Sequence, residues 1–250
     1  MEITEFTVKE TSVRIISSEK EQASHAIGEI IEQRRSLEKY IAENPAFLYS
    51  MEPMEIQESA PEIIRKMSEA SWMAGVGPMA SVAGAIAELA CRKMHERGSG
   101  VCLVENGGDM FTMTDTPLKI ALYAGRESPA NNLCISINPR DTPLSICSSS
   151  SFLGHSISFG QCDLATVFSR SGFVADAFAT ALCNSIKSES DMKGAVEWIC
   201  SHPEVRGAIA VKGKNIALCG HIGKILRHEA DVEGRITFHP RSSFARKLMV

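Results

Sequence analysis

The sequence has no surplus of charge of either sign, no long apolar run and no paired-cysteine motif. Its 26 basic and 30 acidic residues leave a net charge of −4 over 250 residues. That balance provides no electrostatic footprint for nucleic acid or an anionic membrane surface. No stretch approaches the roughly 20 apolar residues of a membrane span. No signal peptide or lipid-attachment cysteine is present, the first cysteine being Cys91. The expectation is a cytoplasmic protein that engages neither nucleic acid nor membrane. The eight cysteines show neither CxxC nor Cys/His zinc spacing, and most sit among apolar residues, which predicts reduced core thiols. No GxSxG elbow exists, so the Ser148–Ser151 run lacks the context of a serine hydrolase. No low-complexity linker or internal repeat divides the chain.

What is present is a mixture of two periodicities. Residues 3–17 alternate β-branched and polar residues, predicting a hairpin that turns near Lys9 and Glu10. From Glu19 to Glu43 the apolar positions Ala26, Ile27, Ile30, Ile31, Leu37, Tyr40 and Ile41 follow helical spacing, and Asn44-Pro45 closes the helix. An irregular segment runs to Met54. Pro61 opens a further helix whose buried stripe is Ile63, Ile64, Met67, Ala70 and Met73. Strands are expected at 101–104, 118–123, 133–137, 144–147, 165–169, 208–211, 215–218 and 236–238, with a short helix over 191–200. Several strands follow one another in hairpin order, which predicts an α+β or mixed-sheet α/β domain.

Two stretches carry chemistry. In Gly75-Val76-Gly77-Pro78, the glycines permit a tight turn and the proline starts a helix running to about Arg97, with Gly98 as its stop. A helix start of this kind offers free N–H groups and a positive dipole end to a phosphate. The small residues Ala80, Ala83, Gly84 and Ala87 equally suit close approach of another helix or a sheet. The second stretch is Gly172 to Asn184, GFVADAFATALCN. Asp176 and Thr180 lie one helical turn apart on one face, and both offer oxygen ligands of the kind Mg²⁺ takes. Apolar neighbours bury this helix almost all round, so Asp176 needs a partner or a metal. The plainer alternative is that Asp176 caps its own helix and Thr180 fills a groove.

Three segments occur in one order: the glycine turn with its small-residue helix, a strand ending in Asn106-Gly107-Gly108-Asp109, and Gly154-His155 before Val174-Ala175-Asp176-Ala177-Phe178-Ala179-Thr180. Together they resemble the FAD:protein FMN transferase (ApbE) superfamily, above all a cytoplasmic branch of unknown function that carries GVGPMASVAGAIAE. The resemblance covers roughly Gly75 to Asn184. It implies a single duplicated domain with flanking helices, in two intertwined halves of about 1–110 and 111–250, and a ligand cleft between them. It implies Asp176 and Thr180 as Mg²⁺ ligands beside a flavin pyrophosphate. Gly75, Gly77, Gly107, Gly108 and Asp109 would line the nucleotide, FAD or FMN. His155, with Asp176, would serve as a catalytic group near the reacting phosphates.

The sequence departs from the transferases at Ala83, where they carry a lysine that would stabilise charge during phosphoryl transfer. A non-catalytic binding module is therefore one alternative. A cysteine-based sulfur or redox carrier is another, with Cys147 beside the serine run and Cys162 seven residues after His155. The expected partner is a small nucleotide, and an apolar helix face with open strand edges makes a homodimer a further expectation.

Overall fold

The computed structural model describes residues 1–124, 128–151 and 160–227. The chain opens with the expected hairpin, β1 (Glu2–Val8) and β2 (Thr11–Ser17), which turns at Lys9 with φ 50°. Four helices follow: α1 (Ala23–Glu43), a four-residue α2 (Ala46–Tyr49), α3 (Glu62–Ala74) and α4 (Val82–Glu96). Next come β3 (Val101–Asn106), β4 (Asp109–Thr114), β5 (Leu118–Ala121), β6 (Leu133–Ile137), β7 (Leu144–Ser149) and β8 (Leu164–Ser169). The described part ends with α5 (Gly172–Ser185), α6 (Met192–Cys200), β9 (Val205–Lys212), β10 (Asn215–Gly220) and β11 (Lys224–Arg227).

Eight strands form one sheet in the order β1-β2-β3-β4-β7-β8-β9-β10, and β11-β6-β5 form a second. A hairpin, helices and a second hairpin succeed one another twice along the chain: β1–β2, α1–α4, β3–β4, then β7–β8, α5–α6, β9–β10. The α+β class stands. Strand direction is not mixed, however, because every pairing among the described residues is antiparallel. Short turns impose this on β1–β2, β3–β4 and β9–β10.

The helices cover one face of the large sheet and the small sheet covers part of the other. The side-chain alternation of a strand sends Cys102, Val104, Cys147, Ala165, Val167, Ala208 and Ala210 into the helix-side core. Their neighbours Leu103, Leu144, Ile146, Leu164, Phe168, Ile209 and Val211 go into the second core against Ile120, Ile135 and Ile137 of the small sheet. The central strands are buried on both faces, so they read in sequence as short continuous apolar runs.

The helical stripes behave as their spacing predicts, with Ala26, Ile30 and Leu37 of α1 and Ile63, Ile64, Met67 and Ala70 of α3 buried. Ile31 of α1 and Met73 of α3 are exceptions, being 40% and 41% exposed, and Ala74 closes the α3 stripe instead. Among the described residues no single helix is long and apolar enough to cross a membrane. The strand expected at 236–238, and Gly154 and His155, lie outside the described residues.

A cross-capped helix pair as the candidate functional site

Helix α5 is the most enclosed element, with every residue from Gly172 to Cys183 buried. It packs on α4, β7 and β8. Where α5 meets α4, two glycines face each other. A Cβ on Gly84 would run into the carbonyl of Gly172 and come within 2.8 Å of the Asp176 Cβ. A Cβ on Gly172 would likewise run into the carbonyl of Gly84. Only glycine permits this approach. The small-residue helix of the sequence is therefore explained by another helix.

Each helix caps the other. Ser81 precedes α4 but makes no side-chain cap, its hydroxyl donating instead to the Pro78 carbonyl at 2.9 Å. Asp176 Oδ2 accepts the Gly84 N–H at 2.8 Å, and the Ala83 N–H also bonds this carboxylate. Ser171 precedes α5 and also makes no cap. Glu88 Oε2 accepts the Gly172 N–H at 2.6 Å and the Ser171 hydroxyl at 3.2 Å. Glu88 and Asp176 each sit four residues after their own helix's glycine. An i, i+4 pair shares one helix face, so glycine and carboxylate both point across the crossing. Asp176 does not cap its own helix. It is the anion that the positive end of α4 holds, where a phosphate was the sequence expectation.

Asp109 stands at the sheet side of this crossing. Gly107 and Gly108 form the two-residue β3–β4 turn with φ of 67° and 109°, a left-handed pair that selects glycine at both positions. Among the described residues neither has an atom within 4 Å of where a Cβ would stand. Asp109 starts β4, and its Oδ1 accepts the Ser148 N–H of β7 at 3.0 Å. Burial pushes the Asp109 carboxyl up to about 7, with repulsion from Glu105 adding to it, against hydrogen bonds from Ser148 and the Cys147 thiol.

Asp176 is raised well above the carboxylate range, first by burial and then by the charge of Asp109, against the Gly84 and Ala83 N–H groups. Among the described residues no lysine or arginine acts on either carboxyl group. Cys147 lies between them, its thiol pushed up by burial and by both aspartates.

Two hydroxyls complete the picture. Thr180 is 6% exposed, and its hydroxyl has no partner among the described residues. Ser149 is 4% exposed, and its Oγ is buried without a hydrogen bond. Cys147 Sγ lies 3.9 Å from the Gly172 carbonyl and Ser151 Oγ 3.5 Å from Cys183 Sγ. The helix-facing residues of β7 therefore run alongside α5, and Ser149 lies between Cys147 and Ser151 on that face. Two buried carboxyl groups without a counter-cation among the described residues, and two unpartnered hydroxyls, offer oxygen donors only, the kind that a hard divalent ion takes. No group of three His, Cys, Asp or Glu side chains has metal-site geometry among the described residues, so hydroxyl or backbone oxygens would have to contribute.

The remaining expected residues are placed differently. Gly75 ends α3 in the left-handed conformation, φ 68°, its N–H bonded to the Ser71 carbonyl at 2.8 Å. A Cβ on Gly77 would strike the Ser50 carbonyl, so this glycine accommodates the chain after α2. The structure brings Asp109 and Asp176 together, with Gly107 and Gly108 next to Asp109 and Thr180 one turn beyond Asp176, whereas Gly75 and Gly77 shape the α3–α4 connection. Glu88 was missed in sequence, though its i, i+4 relation to Gly84 repeats that of Gly172 and Asp176. The expectation of eight reduced thiols fails at one pair. Helix α6 packs on β9 and β10 and brings Cys200 and Cys219 to a Cα separation of 6.5 Å, where they form a disulfide.

Comparison with known proteins places this geometry. The family model described as "AbpE bacteria" matches residues 3–197. The UPF0280 protein of Methanocella arvoryzae is 40% identical over 228 residues, covering 91% of this chain and 92% of its own. The chain belongs to the UPF0280 family. Among solved structures, this UPF0280 chain is similar to the apo flavinyl transferase ApbE of Pseudomonas stutzeri. The TM-score is 0.57 at 15% identity, with 87% of this chain and 94% of that one covered. The ApbE protein of Thermotoga maritima gives a TM-score of 0.57 at 12% identity, covering 91% and 97%. At such identities the likeness shows that UPF0280 chains share the ApbE fold, and nothing about activity.

Proposed function

We propose that this protein binds a pyrophosphate-bearing nucleotide of the flavin type, with a divalent cation held at Asp176 and Thr180 and the nucleotide along Gly107, Gly108 and Asp109. The observation that carries the proposal is the buried Asp109–Asp176 pair: burial raises both carboxyl groups, Asp109 raises Asp176 further, and no lysine or arginine among the described residues offsets this. A buried charge without compensation is expensive to keep, and a bound cation removes the cost by ionising both groups. A divalent ion there would neutralise a pyrophosphate and polarise its phosphoanhydride. This chain's own groups would orient that ion: Asp176 through the oxygen not engaged by Gly84, Thr180 and Ser149 through their open hydroxyls. The flavin transferases of the same fold motivate FAD as the first ligand to try.

Ala83 gives a second version of the same proposal. It stands where the transferases carry a lysine, and its N–H serves Asp176. With a methyl group there, binding without transfer is the expected behaviour. The cysteine-carrier alternative has less support. All six free cysteines are buried, and Cys147 sits where its thiol is held protonated.

Incubation of the purified protein with FAD and Mg²⁺, followed by chromatography, separates the versions. Both hydrolysis to FMN and transfer of FMN to a hydroxyl release AMP. AMP formation that Asp176→Asn abolishes indicates an enzyme. FAD retention without AMP indicates a binding module. Neither AMP nor retention contradicts the flavin proposal.

A further inference from the structure

We infer that Glu88 is a positioning residue for this site: by clamping the N-terminus of α5 onto α4, it holds the Asp176 carboxylate at the Gly84 N–H. The inference rests on the proposed cation site. It concerns a residue that would touch neither cation nor nucleotide.

Glu88 is 6% exposed. Its Oε2 takes two donors from the start of α5, the Gly172 N–H at 2.6 Å and the Ser171 hydroxyl at 3.2 Å. Its Oε1 is held by Arg92 Nε at 2.7 Å, one turn along α4. The Arg92 guanidinium in turn lies 5.1 Å from the centre of the Phe111 ring, a cation–π contact. Phe111 and Asp109 lie two residues apart on β4 and so project from the same face of the strand.

The chain Phe111–Arg92–Glu88–Gly172 therefore ties together three elements: β4, which carries Asp109; α4, which carries Gly84; and α5, which carries Asp176 and Thr180. From Gly172 to Asp176 is one helical turn. Displacement of the α5 N-terminus therefore carries Asp176 away from Gly84. Asp176 meets α4 only through backbone N–H groups, whereas Glu88 takes the N–H and hydroxyl donors at the very start of α5.

The roles of the two carboxylates differ accordingly. Both Glu88 oxygens are occupied by protein donors and by an arginine. Asp176 takes backbone N–H groups and, among the described residues, no basic side chain. One cap is ion-paired and structural, and the other has no cation of its own.

The test is Mn²⁺ binding by the full-length protein, followed by electron paramagnetic resonance at low temperature, for wild type, Glu88→Ala, Glu88→Gln, Arg92→Ala, Asp176→Asn and Leu37→Ala. Leu37 is buried in α1 and serves as a control for lost stability elsewhere in the molecule. The expected result is a tenfold or greater weakening in Glu88→Ala and about threefold in Arg92→Ala. Glu88→Gln, which keeps an acceptor for the Gly172 N–H, should recover to within threefold of wild type. Leu37→Ala should bind as wild type does, which a general effect of lost stability would not allow.

If Glu88→Ala does not fold, Glu88→Gln and Arg92→Ala carry the comparison, and wild-type affinity in Arg92→Ala overturns the inference. Wild-type affinity in Glu88→Ala, with binding lost in Asp176→Asn, overturns the positioning role and leaves the cation site standing. Unchanged binding in Asp176→Asn removes the cation site itself, and the positioning role falls with it.

Discussion

Asp176 on α5 accepts the backbone N–H of Gly84 in the first turn of α4, at 2.8 Å, although 92 residues separate them in sequence. One side chain thus serves as the cap of a distant helix and as the oxygen ligand of the proposed cation. The contact depends on two helices crossing glycine to glycine, so the site and the packing of the helical layer are one feature.

Gly84→Ala tests that dependence. The added methyl would meet the Gly172 carbonyl and the Asp176 side chain, and neither is the mobile end of a flexible group. Overpacking of this kind costs about 1–3 kcal/mol, occasionally more. Denaturant unfolding should show a loss at the upper end of that range, and cation binding should weaken in parallel. An unchanged midpoint would mean that the helices do not cross this closely.

The Asp109 carboxyl gives a pH signature. Its pKa in the folded protein is about 7, against 3.8 for the ordinary group. A raised acid pKa means that the folded state binds the proton more tightly, so stability falls as pH rises from about 4 to about 7 and then levels off. The penalty above pH 7 is at most on the order of 4 kcal/mol. Asp109→Asn, which retains an acceptor for the Ser148 N–H, should therefore melt higher than wild type at pH 8 and equally at pH 4. Millimolar Mg²⁺ should narrow the gap at pH 8, because the ion relieves the charge that the substitution removes. A gap independent of pH would contradict a carboxyl group that titrates near neutrality.

Ser149→Ala should separate stability from binding. The hydroxyl is buried without a partner, and removing such a group is neutral or stabilising by about 1–3 kcal/mol. The variant should be at least as stable as wild type while binding Mn²⁺ less tightly. Lower stability with unchanged Mn²⁺ affinity would mean that Ser149 serves packing alone.

The Cys200–Cys219 bond is checked by counting thiols. Alkylation of the unfolded protein without reductant should label six cysteines, and with reductant all eight. Cross-linking across a separation of 19 residues stabilises by about 3 kcal/mol on the loop-entropy model. Cys200→Ser should lower the unfolding free energy by an amount of that order.

Local signals in the sequence located most elements. The N-terminal hairpin, the α1 and α3 stripes, Gly98 as a helix stop and the buried helix around Asp176 follow from periodicity and from proline and glycine placement. Those signals act over a few residues. What escaped them depends on contacts between distant segments. Asp176 reads as a cap for its own helix until the fold brings Gly84 to it. Glu88 reads as an ordinary helical glutamate until Gly172 arrives. Cys200 and Cys219 show no paired spacing because α6 and β10 meet only through packing. The strand β11 was missed because Lys224–Arg227 is short and its partner β6 lies some 90 residues earlier. Asp109 and Asp176 were each picked out in sequence, but their shared burial, on which the functional proposal rests, exists only in the folded chain.

The most direct measurement is a calorimetric titration of FAD into the purified protein with and without Mg²⁺, repeated with Asp176→Asn. The account predicts saturable FAD binding that strengthens at least tenfold with Mg²⁺ in the wild type and shows no Mg²⁺ dependence in the variant. Absence of FAD binding in either condition, or equal Mg²⁺ dependence in both proteins, would contradict it.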